Sequence, residues 1–396
     1  MNGSIRETLE TPIRQECDVL VAGGGMAGVS AALAAARVGA KTILIDRNYL
    51  LGGLATAGLV TIFLPLCDGM GHQVSFGIAE ELLRLSVSLG AEDEPPAVWM
   101  ESGPPEKRRE HRFMARYNAQ LFAILLEKLL RESGVSILYG VSVVALKQTG
   151  RHVEAAILES KSGREGILAR SFVDATGDAD LFFLAGAPTR TYAAGNPLAA
   201  WYYRLSRKEL ELRTLGAADV PEMLRTQRSV PEQLSKRRFE GLTAAELSEM
   251  VMLAREKTLE DLLASRAWDA ASVPVTLPTI PQVRMTRCIV GAYTLDDTRN
   301  NCSFADEIGR VADWRRSGFV YGVPLRALYG AHARNLIAAG RCISVDDGMW
   351  DVSRVIPACC VTGEAAGTAA ALSDDFAAMD PNALRSVLIK QGALRA

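Results

Sequence analysis

Three glycines, Gly23, Gly25 and Gly28, stand at Gly-x-Gly-x-x-Gly spacing between the apolar run Asp18 to Ala22 and an alanine-rich segment that carries no charge until Arg37. Each glycine has its own task in such a turn. The first permits the tight bend, the second lets a pyrophosphate approach the backbone, and the third lets the helix pack on the strand. The spacing predicts strand, turn and helix, with Gly39 as helix C-cap, a second strand over Lys41 to Ile45, and Asp46 placed 21 positions after Gly25 to accept hydrogen bonds from a ribose 2′-OH. A helix N-terminus offers unpaired N–H groups and a positive dipole end, so the backbone of Gly25, Met26, Ala27 and Gly28 suits an anionic pyrophosphate without any basic side chain. No lysine follows the glycines, which excludes a Walker-type nucleotide loop. Asp46 repels a 2′-phosphate, so FAD or NAD is favoured over NADP despite the adjacent Arg47.

Composition narrows the class further. A chain of 396 residues, 48% hydrophobic and with a net charge of −2, buries a large core and is expected to divide into two interleaved domains. Its one basic cluster, Lys107 to Arg112, contains Glu110 and reads as a solvated surface segment, so no nucleic-acid partner is expected. Met1 to Glu16 holds three glutamates and no apolar core, unlike a signal peptide. The low-charge run Val19 to Ala36 imitates a membrane span in hydropathy alone, but its glycine turn and change of period argue against one. Seven cysteines without a Cys-x-x-Cys pair give neither a disulfide framework nor a zinc ligand set, and four scattered histidines show no metal spacing. No metal and a reducing, cytoplasmic setting are expected.

After Asp46, the loop Tyr49 to Gly58 contains Gly52 and Gly53, where backbone passes close to a bound cofactor, followed by Leu54, Ala55 and Thr56. Asn118 to Glu132 has the spacing of an amphipathic helix closed by Gly134, and Val135 to Tyr139 that of a short strand. Val141 to Gln148, Val153 to Glu159 and Gly166 to Arg170, with turns at Thr149-Gly150 and Ser162-Gly163, read as an antiparallel meander. Phe172 to Ala175 returns to a buried strand that ends in Thr176-Gly177-Asp178.

These elements, in this order, resemble the FAD-dependent oxidoreductases of the glutathione-reductase-like, two-dinucleotide-binding-domain class, distantly similar to fumarate reductase flavoproteins and thiazole synthases. The signature stretches are Leu51-Gly-Gly-Leu-Ala-Thr56, Asp174-Ala-Thr-Gly-Asp-Ala-Asp180, Asn335 to Ser344 and Arg354-Val-Ile-Pro-Ala-Cys-Cys-Val-Thr-Gly-Glu-Ala-Ala-Gly367. Met26 stands where proline is common, and Asp46 where glutamate is usual. The resemblance implies an α/β fold: a Rossmann-like FAD-binding domain with a parallel central sheet and the three-stranded meander (1–60, 112–190 and 329–396), plus an inserted α+β cap or substrate domain (61–111 and 191–328). It implies non-covalent FAD, which the absence of a second glycine fingerprint also favours over NAD. Beyond the glycine turn, Asp46, Arg47 and the Gly52 to Thr56 loop, the candidate cofactor contacts are Val143, Val144, Ala175, Thr176, Gly177, Asp178, Gly340, Arg341, Ile356, Pro357 and Ala358.

In the inserted segment, Tyr192 to Leu205 looks strand-like, Arg207 to Ala271 charged and helical with a capping box at Thr243-Ala-Ala-Glu246, and Pro274 to Tyr293 extended. The part up to Ser265 is open to either reading, cap or oligomerisation surface. Arg354 to Leu372 is a small-residue helix whose Gly363 and Gly367 share a face for close approach to the sheet, and whose N-terminus points at the flavin, stabilising negative charge on the reduced ring. Cys359-Cys360 lie within that helix, where neighbouring side chains diverge, so they read as packing rather than as a redox pair. Three arginines are candidates for a small anionic substrate. A period of two over Val283 to Val290 puts Arg284 and Arg287 on opposite faces, with Arg287 either bridged to an acid such as Asp296 or facing a ligand. Arg354 either ties to Asp346, Asp347 or Asp351 or, as the resemblance to fumarate reductase flavoproteins implies, binds a substrate carboxylate. On the residues alone, a thiazole-synthase-like protein without flavin turnover and a non-catalytic dinucleotide-binding protein stay open. Substrate identity and electron acceptor are not legible.

Overall fold

The computed structural model describes residues 4–101, 103–216 and 233–395. The apolar run before the glycines is the end of strand Ile13–Ala22, which pairs in parallel with Thr42–Asp46 on one side and with Gly163–Asp174 on the other. Ser136–Tyr139 extends the sheet in parallel beyond Thr42–Asp46. Gly163–Asp174 is the pivot. Its first half pairs antiparallel with His152–Ser160, which pairs in turn with Ser142–Thr149, while its last residues, Phe172 to Asp174, pair in parallel with Leu336–Ala338. The result is a seven-stranded sheet, parallel at its centre, with the expected meander at one end. Parallel strands are buried on both faces and carry continuous apolar runs, whereas the meander strand Ser142–Thr149 alternates in exposure. The pairings Ala22 with Ile45, Ala22 with Asp174 and Ala338 with Asp174 align the carboxyl ends of the parallel strands on one edge, where open α/β sheets bind ligands.

Helix Met26–Arg37 packs on this sheet, and helix Ile356–Leu372 packs on helix Met26–Arg37. The close approach expected of Gly363 and Gly367 is to that helix rather than to the sheet. A Cβ on Gly363 would stand 2.2 Å from the Ala27 carbonyl oxygen, and one on Gly367 2.0 Å from that of Ala31. The helix expected over Arg354 to Leu372 is observed as Ile356–Leu372, and a separate helix, Asp347–Ser353, precedes it at 87°. Among the described residues no single helix is long and apolar enough to cross a membrane.

Glu364 is buried in the middle of the long helix, where its carboxylate accepts the Ile78 N–H, at the start of helix Ile78–Val87, at 2.9 Å. Burial pushes its carboxyl up to about 7, against the pull of that N–H and of Arg37. The folded state therefore holds this proton more tightly than the unfolded chain. Its stabilising effect is complete below the ordinary glutamate range and is lost as pH rises through about 7. Glu364→Gln keeps an acceptor for Ile78 and should flatten that part of the profile, gaining on the order of 3 kcal/mol relative to wild type at pH 8 in denaturant titrations. A parallel pH profile in the variant would locate the charge cost elsewhere.

Asn118 caps helix Ala119–Glu132, as its sequence requires, by accepting the Leu121 N–H. Farther along the chain, helix Ala244–Arg266 starts at Thr243, which accepts the Glu246 N–H. Only half of the expected capping box forms, because the Glu246 carboxylate accepts from Glu240 and Gly241 instead. The helix lies on strand Ala200–Ser206 of a three-stranded sheet with Glu209–Leu215 and Val273–Thr276. Glu209–Leu215 falls inside the stretch read as helical. Its period of two is carried by only two leucines between charges, and Arg207 and Lys208 make the hairpin turn at positive φ without glycine. Residues 217–232 of that stretch lie outside the described residues.

Candidate functional site

A cavity of about 310 Å³ opens at the carboxyl edge of the parallel strands. The glycine turn forms its floor. Gly23 has φ +100°, and a Cβ there would stand 2.4 Å from the Ala175 carbonyl oxygen; a Cβ on Gly28 would stand 1.7 Å from that of Gly23. These two glycines hold the turn against the neighbouring strand end and helix. Gly25 differs, since a Cβ on it would meet nothing within 4 Å and would project into open space. Gly25 is also the N-cap of helix Met26–Arg37 and supplies no side-chain cap, which leaves the amide end of the helix to a ligand. Gly52 and Gly53 lie against this turn: Gly52 donates its N–H to the Gly24 carbonyl at 2.8 Å and pairs with Gly25 as an isolated bridge.

Asp46, at the end of strand Thr42–Asp46, lines the same cavity and is 8% exposed. One of its oxygens accepts the Gly24 N–H at 2.5 Å, and the other accepts from the Asn48 backbone and side chain at 2.6 and 2.9 Å. The carboxylate thus braces the glycine turn while keeping lone pairs available. If it also holds the ribose, Asp46→Ala should weaken FAD binding roughly ten- to a hundredfold, from loss of a charge-assisted bond worth about 1.5 to 3 kcal/mol. Fluorescence titration of the apoprotein measures this, and unchanged affinity would place the acid outside the adenosine site.

Of the residues expected to touch the cofactor, Gly23, Gly25, Met26, Ala27, Asp46, Arg47, Gly52, Gly53, Leu54, Ala55, Val143, Ala175, Thr176, Gly177, Asp178, Arg341 and Ile356 all line this one cavity. Six do not. Gly28 is consumed in packing; Thr56 is fully buried, its hydroxyl spent on the Leu51 carbonyl. Val144 is 37% exposed on the face of the strand opposite Val143. Gly340 donates its N–H to Thr362 at 3.0 Å, and Pro357 and Ala358 turn into the protein, so that Ile356 and Cys359 are the helix residues that reach the cavity. Burial pushes the Cys359 thiol up to about 11, which favours its protonated form. Its neighbour Cys360 is likewise a free, buried thiol, as the packing reading requires.

Several lining residues carry no local signal in the sequence. Gly241, Leu247, Ile280, Pro281 and Val283 also reach the cavity, Ile280, Pro281 and Val283 from a stretch with no regular structure, so no periodicity announces them. Asp180 follows the Thr176-Gly177-Asp178 turn. Behind that turn, buried Asp174 accepts from Thr176, Leu181 and Phe182, and burial together with nearby Asp180 raises its carboxyl to about 6.

The arginines resolve differently from one another. Arg287 is a structural tie, but to Asp180 at 2.8 Å and to the Asp178 carbonyl at 2.8 Å, not to Asp296, which pairs with Arg299. Arg284 stacks on the Trp201 ring at 5.2 Å and bonds Gln282 at 3.1 Å. Neither lines the cavity. Their expected alternation fails because only Arg287–Ile289 is a strand; Val283 to Thr286 is irregular. Arg354 and Arg341 do line it. Arg341 bonds the Val283 carbonyl and stands 3.5 Å from Asp178. Arg354 grips Asp351 through Nε at 2.9 Å and through Nη2; Asp346 caps its helix instead, and Asp347 pairs with Arg190. Asp351 also lies 3.5 Å from Arg315, Arg315 bonds Asp313 at 2.9 Å, and Asp313 bonds Arg316 at 2.8 Å. The chain alternates in sign, Arg354, Asp351, Arg315, Asp313, Arg316, with a cation at each end. Among the described residues each inner ion has two ionic partners, whereas Arg354, 10% exposed at the cavity end, has one.

The cavity fits a dinucleotide: a glycine cradle that a Cβ would fill, an uncapped helix end, and an acid at the second strand end. The family model described as FAD dependent oxidoreductase matches residues 18–207 and 198–388. The chain belongs to the FAD-dependent oxidoreductase family. Its cofactor is FAD. Individual relatives match shorter pieces of this FAD-dependent oxidoreductase. The tRNA uridine 5-carboxymethylaminomethyl modification enzyme MnmG of Campylobacter fetus subsp. fetus is 38% identical over 91 residues, 20% of this chain and 14% of that enzyme. The MnmG of Desulfitobacterium hafniense strain DCB-2 is 34% identical over 132 residues, 30% of this chain and 20% of that enzyme. The chain thus spans a fifth or less of the length of these curated relatives. Among solved structures, a geranylgeranyl bacteriochlorophyll reductase-like protein from Thermoplasma acidophilum superimposes on 96% of this chain and 84% of its own, with TM-score 0.48 and 13% identity.

Proposed function

We propose that this flavoprotein transfers a hydride between a small organic anion and non-covalently bound FAD, with Arg354 holding the anion's carboxylate. The observation that carries the reading is the buried ion chain whose cavity-facing cation has a single carboxylate partner. A guanidinium so placed favours an anion at the cavity, because its fork binds carboxylate in a fixed orientation and its charge is poorly screened there. FAD supplies the two-electron acceptor or donor when bound. The backbone of the glycine turn and Asp46 hold its adenosine end, the uncapped start of helix Ile356–Leu372 favours negative charge at its reacting end, and Arg341 adds a second cation. Segments 1–60, 112–190 and 329–396 form the cofactor domain. Segments 61–111 and 191–328 form the cap, whose Gly241, Leu247, Ile280, Pro281 and Val283 keep water from the substrate. The partner is a small molecule rather than nucleic acid, consistent with a net charge of −2. Seven free cysteines suit a reducing, cytoplasmic setting.

Purified protein should be yellow, acid precipitation should release the colour into the supernatant, and anaerobic exposure to a panel of 2-hydroxy, 2-amino and saturated dicarboxylic acids should bleach it. Colour retained by the pellet would mean a covalent link. Bleaching by neutral alcohols or amines in preference to any acid would overturn the anionic substrate.

A further inference from the structure

One stretch of the cavity wall is tied from behind by a buried side chain. Ile280, Pro281 and Val283 line the cofactor cavity, and Gln282, between them, does not. The Val283 N–H donates to the Pro281 carbonyl at 2.9 Å, which closes a three-residue turn with Gln282 at its apex. Gln282 is 3% exposed, and both ends of its amide are used. Its Nε2 donates to the Gly58 carbonyl at 2.7 Å, and its Oε1 accepts from Arg284 Nη2 at 3.1 Å. The Thr279 N–H adds a bond to the Ala57 carbonyl at 2.9 Å.

Ala57 and Gly58 close the loop that carries cofactor contacts. Gly52, Gly53, Leu54 and Ala55 line the cavity, and Gly52 donates its N–H to the Gly24 carbonyl of the glycine turn at 2.8 Å. The wall is thus bonded to the loop that itself lies against the glycine turn. No helix or strand holds it otherwise: Leu277 to Pro281 has no regular structure, and Pro278 and Pro281 have no N–H to give. Behind Ile280 and Pro281, toward Met250 and Ala254 of helix Ala244–Arg266, lies a gap of about 40 Å³, so close packing does not press the wall forward from that side.

We infer that Gln282 is a positioning residue: it seats Ile280, Pro281 and Val283 over the cofactor by fixing them to the Gly52 to Gly58 loop, and so keeps solvent from the flavin. This rests on the reading of that wall as the cover of the cofactor's reacting end, and on nothing at Arg354. Excluding water matters there because fixed charges such as Arg341 and Arg354 act more strongly in a low dielectric. A glutamine suits the task. Its neutral amide gives to a carbonyl and receives from a guanidinium at once, which neither a glutamate nor a lysine does.

The test uses the FAD-loaded protein without substrate. Gln282→Met keeps the length of the side chain and removes both bonds. FAD should stay bound, since the glycine turn and Asp46 are untouched. Quenching of flavin fluorescence by the neutral probe acrylamide should rise about two- to tenfold, the weight of one neutral hydrogen bond in an open–closed equilibrium. Amide exchange of Thr279, followed by mass spectrometry of the peptide over residues 277–282, should speed up by a similar factor. Gln282→Glu, which keeps the acceptor for Arg284 and loses only the donor to Gly58, should give the same rise and covers the case in which Gln282→Met does not fold. Ile280→Ala thins the wall and leaves both Gln282 bonds in place, so flavin access should rise while Thr279 exchange stays at the wild-type rate. Wild-type quenching in the Gln282 variants overturns the inference, whether or not Thr279 exchange has changed, and so does wild-type quenching in Ile280→Ala. None of these readouts involves an anion at Arg354, so bleaching by neutral substrates would remove that assignment and leave this one standing.

Discussion

Gly25→Val should abolish FAD binding while the apoprotein melts at or near the wild-type temperature. The three glycines of the fingerprint are not equivalent in this fold. Gly23 sits at φ +100°, and a Cβ there or on Gly28 would collide with a backbone carbonyl, so alanine at either position strains the turn itself. Gly25 has φ −69° and ψ −179°, a conformation valine adopts freely, and the carbons that valine adds start from a Cβ position with no protein atom within 4 Å. They would instead fill the space above the amide end of helix Met26–Arg37, displacing a pyrophosphate from bonds worth about 1.5 to 3 kcal/mol each. Loss of two such bonds weakens binding by about a hundredfold or more. The expected result is a colourless, folded protein by circular dichroism and calorimetry. Wild-type flavin content in Gly25→Val would mean that the pyrophosphate lies elsewhere, and an unfolded variant would mean that the open space above Gly25 is needed by the protein itself.

How far the sequence announces this site follows from how local each signal is. The strand, turn, helix and acid from Asp18 to Asp46 are legible because one short segment carries the period, the caps and the glycines together, and the structure brings Asp46 to that turn. The meander is legible for the same reason. The crossing of Gly363 and Gly367 is half legible: small residues on one face announce a close approach, but its target, the carbonyls of Ala27 and Ala31, lies more than 330 positions away along the chain. The arginines are least legible. Arg284 lies in the irregular stretch Val283 to Thr286 while Arg287 opens strand Arg287–Ile289, so no period of two runs through both to sort them. Nothing local to Arg354 shows that Asp351 is also held by Arg315, since that depends on a hairpin between Glu307–Ala312 and Val320–Pro324 meeting helix Asp347–Ser353. Ile280 and Pro281, which wall the cavity, carry no pattern at all.

Arg354→Lys should leave FAD bound and slow substrate-driven flavin reduction by at least about tenfold, the equivalent of 1.4 kcal/mol. Lysine keeps the charge at the cavity end of the ion chain and can still meet Asp351, which Arg315 continues to hold, so helix Asp347–Ser353 and the start of helix Ile356–Leu372 should survive. What lysine loses is the planar fork. Arg354 contacts Asp351 through Nε and Nη2, and a guanidinium has a further nitrogen to offer a carboxylate at the same time. A lysine ammonium must divide a point charge between them and fixes neither orientation. Substrate should therefore bind several-fold more weakly and react more slowly once bound, because a carboxylate held by one point leaves the reacting carbon free to swing. Arg354→Met, which also removes the charge, should slow reduction further and leave Asp351 to Arg315 alone. Anaerobic stopped-flow bleaching separates the two effects, since the limiting rate reports orientation and the half-saturating concentration reports binding. Wild-type values of both in Arg354→Lys and Arg354→Met, with flavin content intact, would reduce Arg354 to a tie that orders its own helix, and the anion would have to be sought at Arg341, which lines the same cavity.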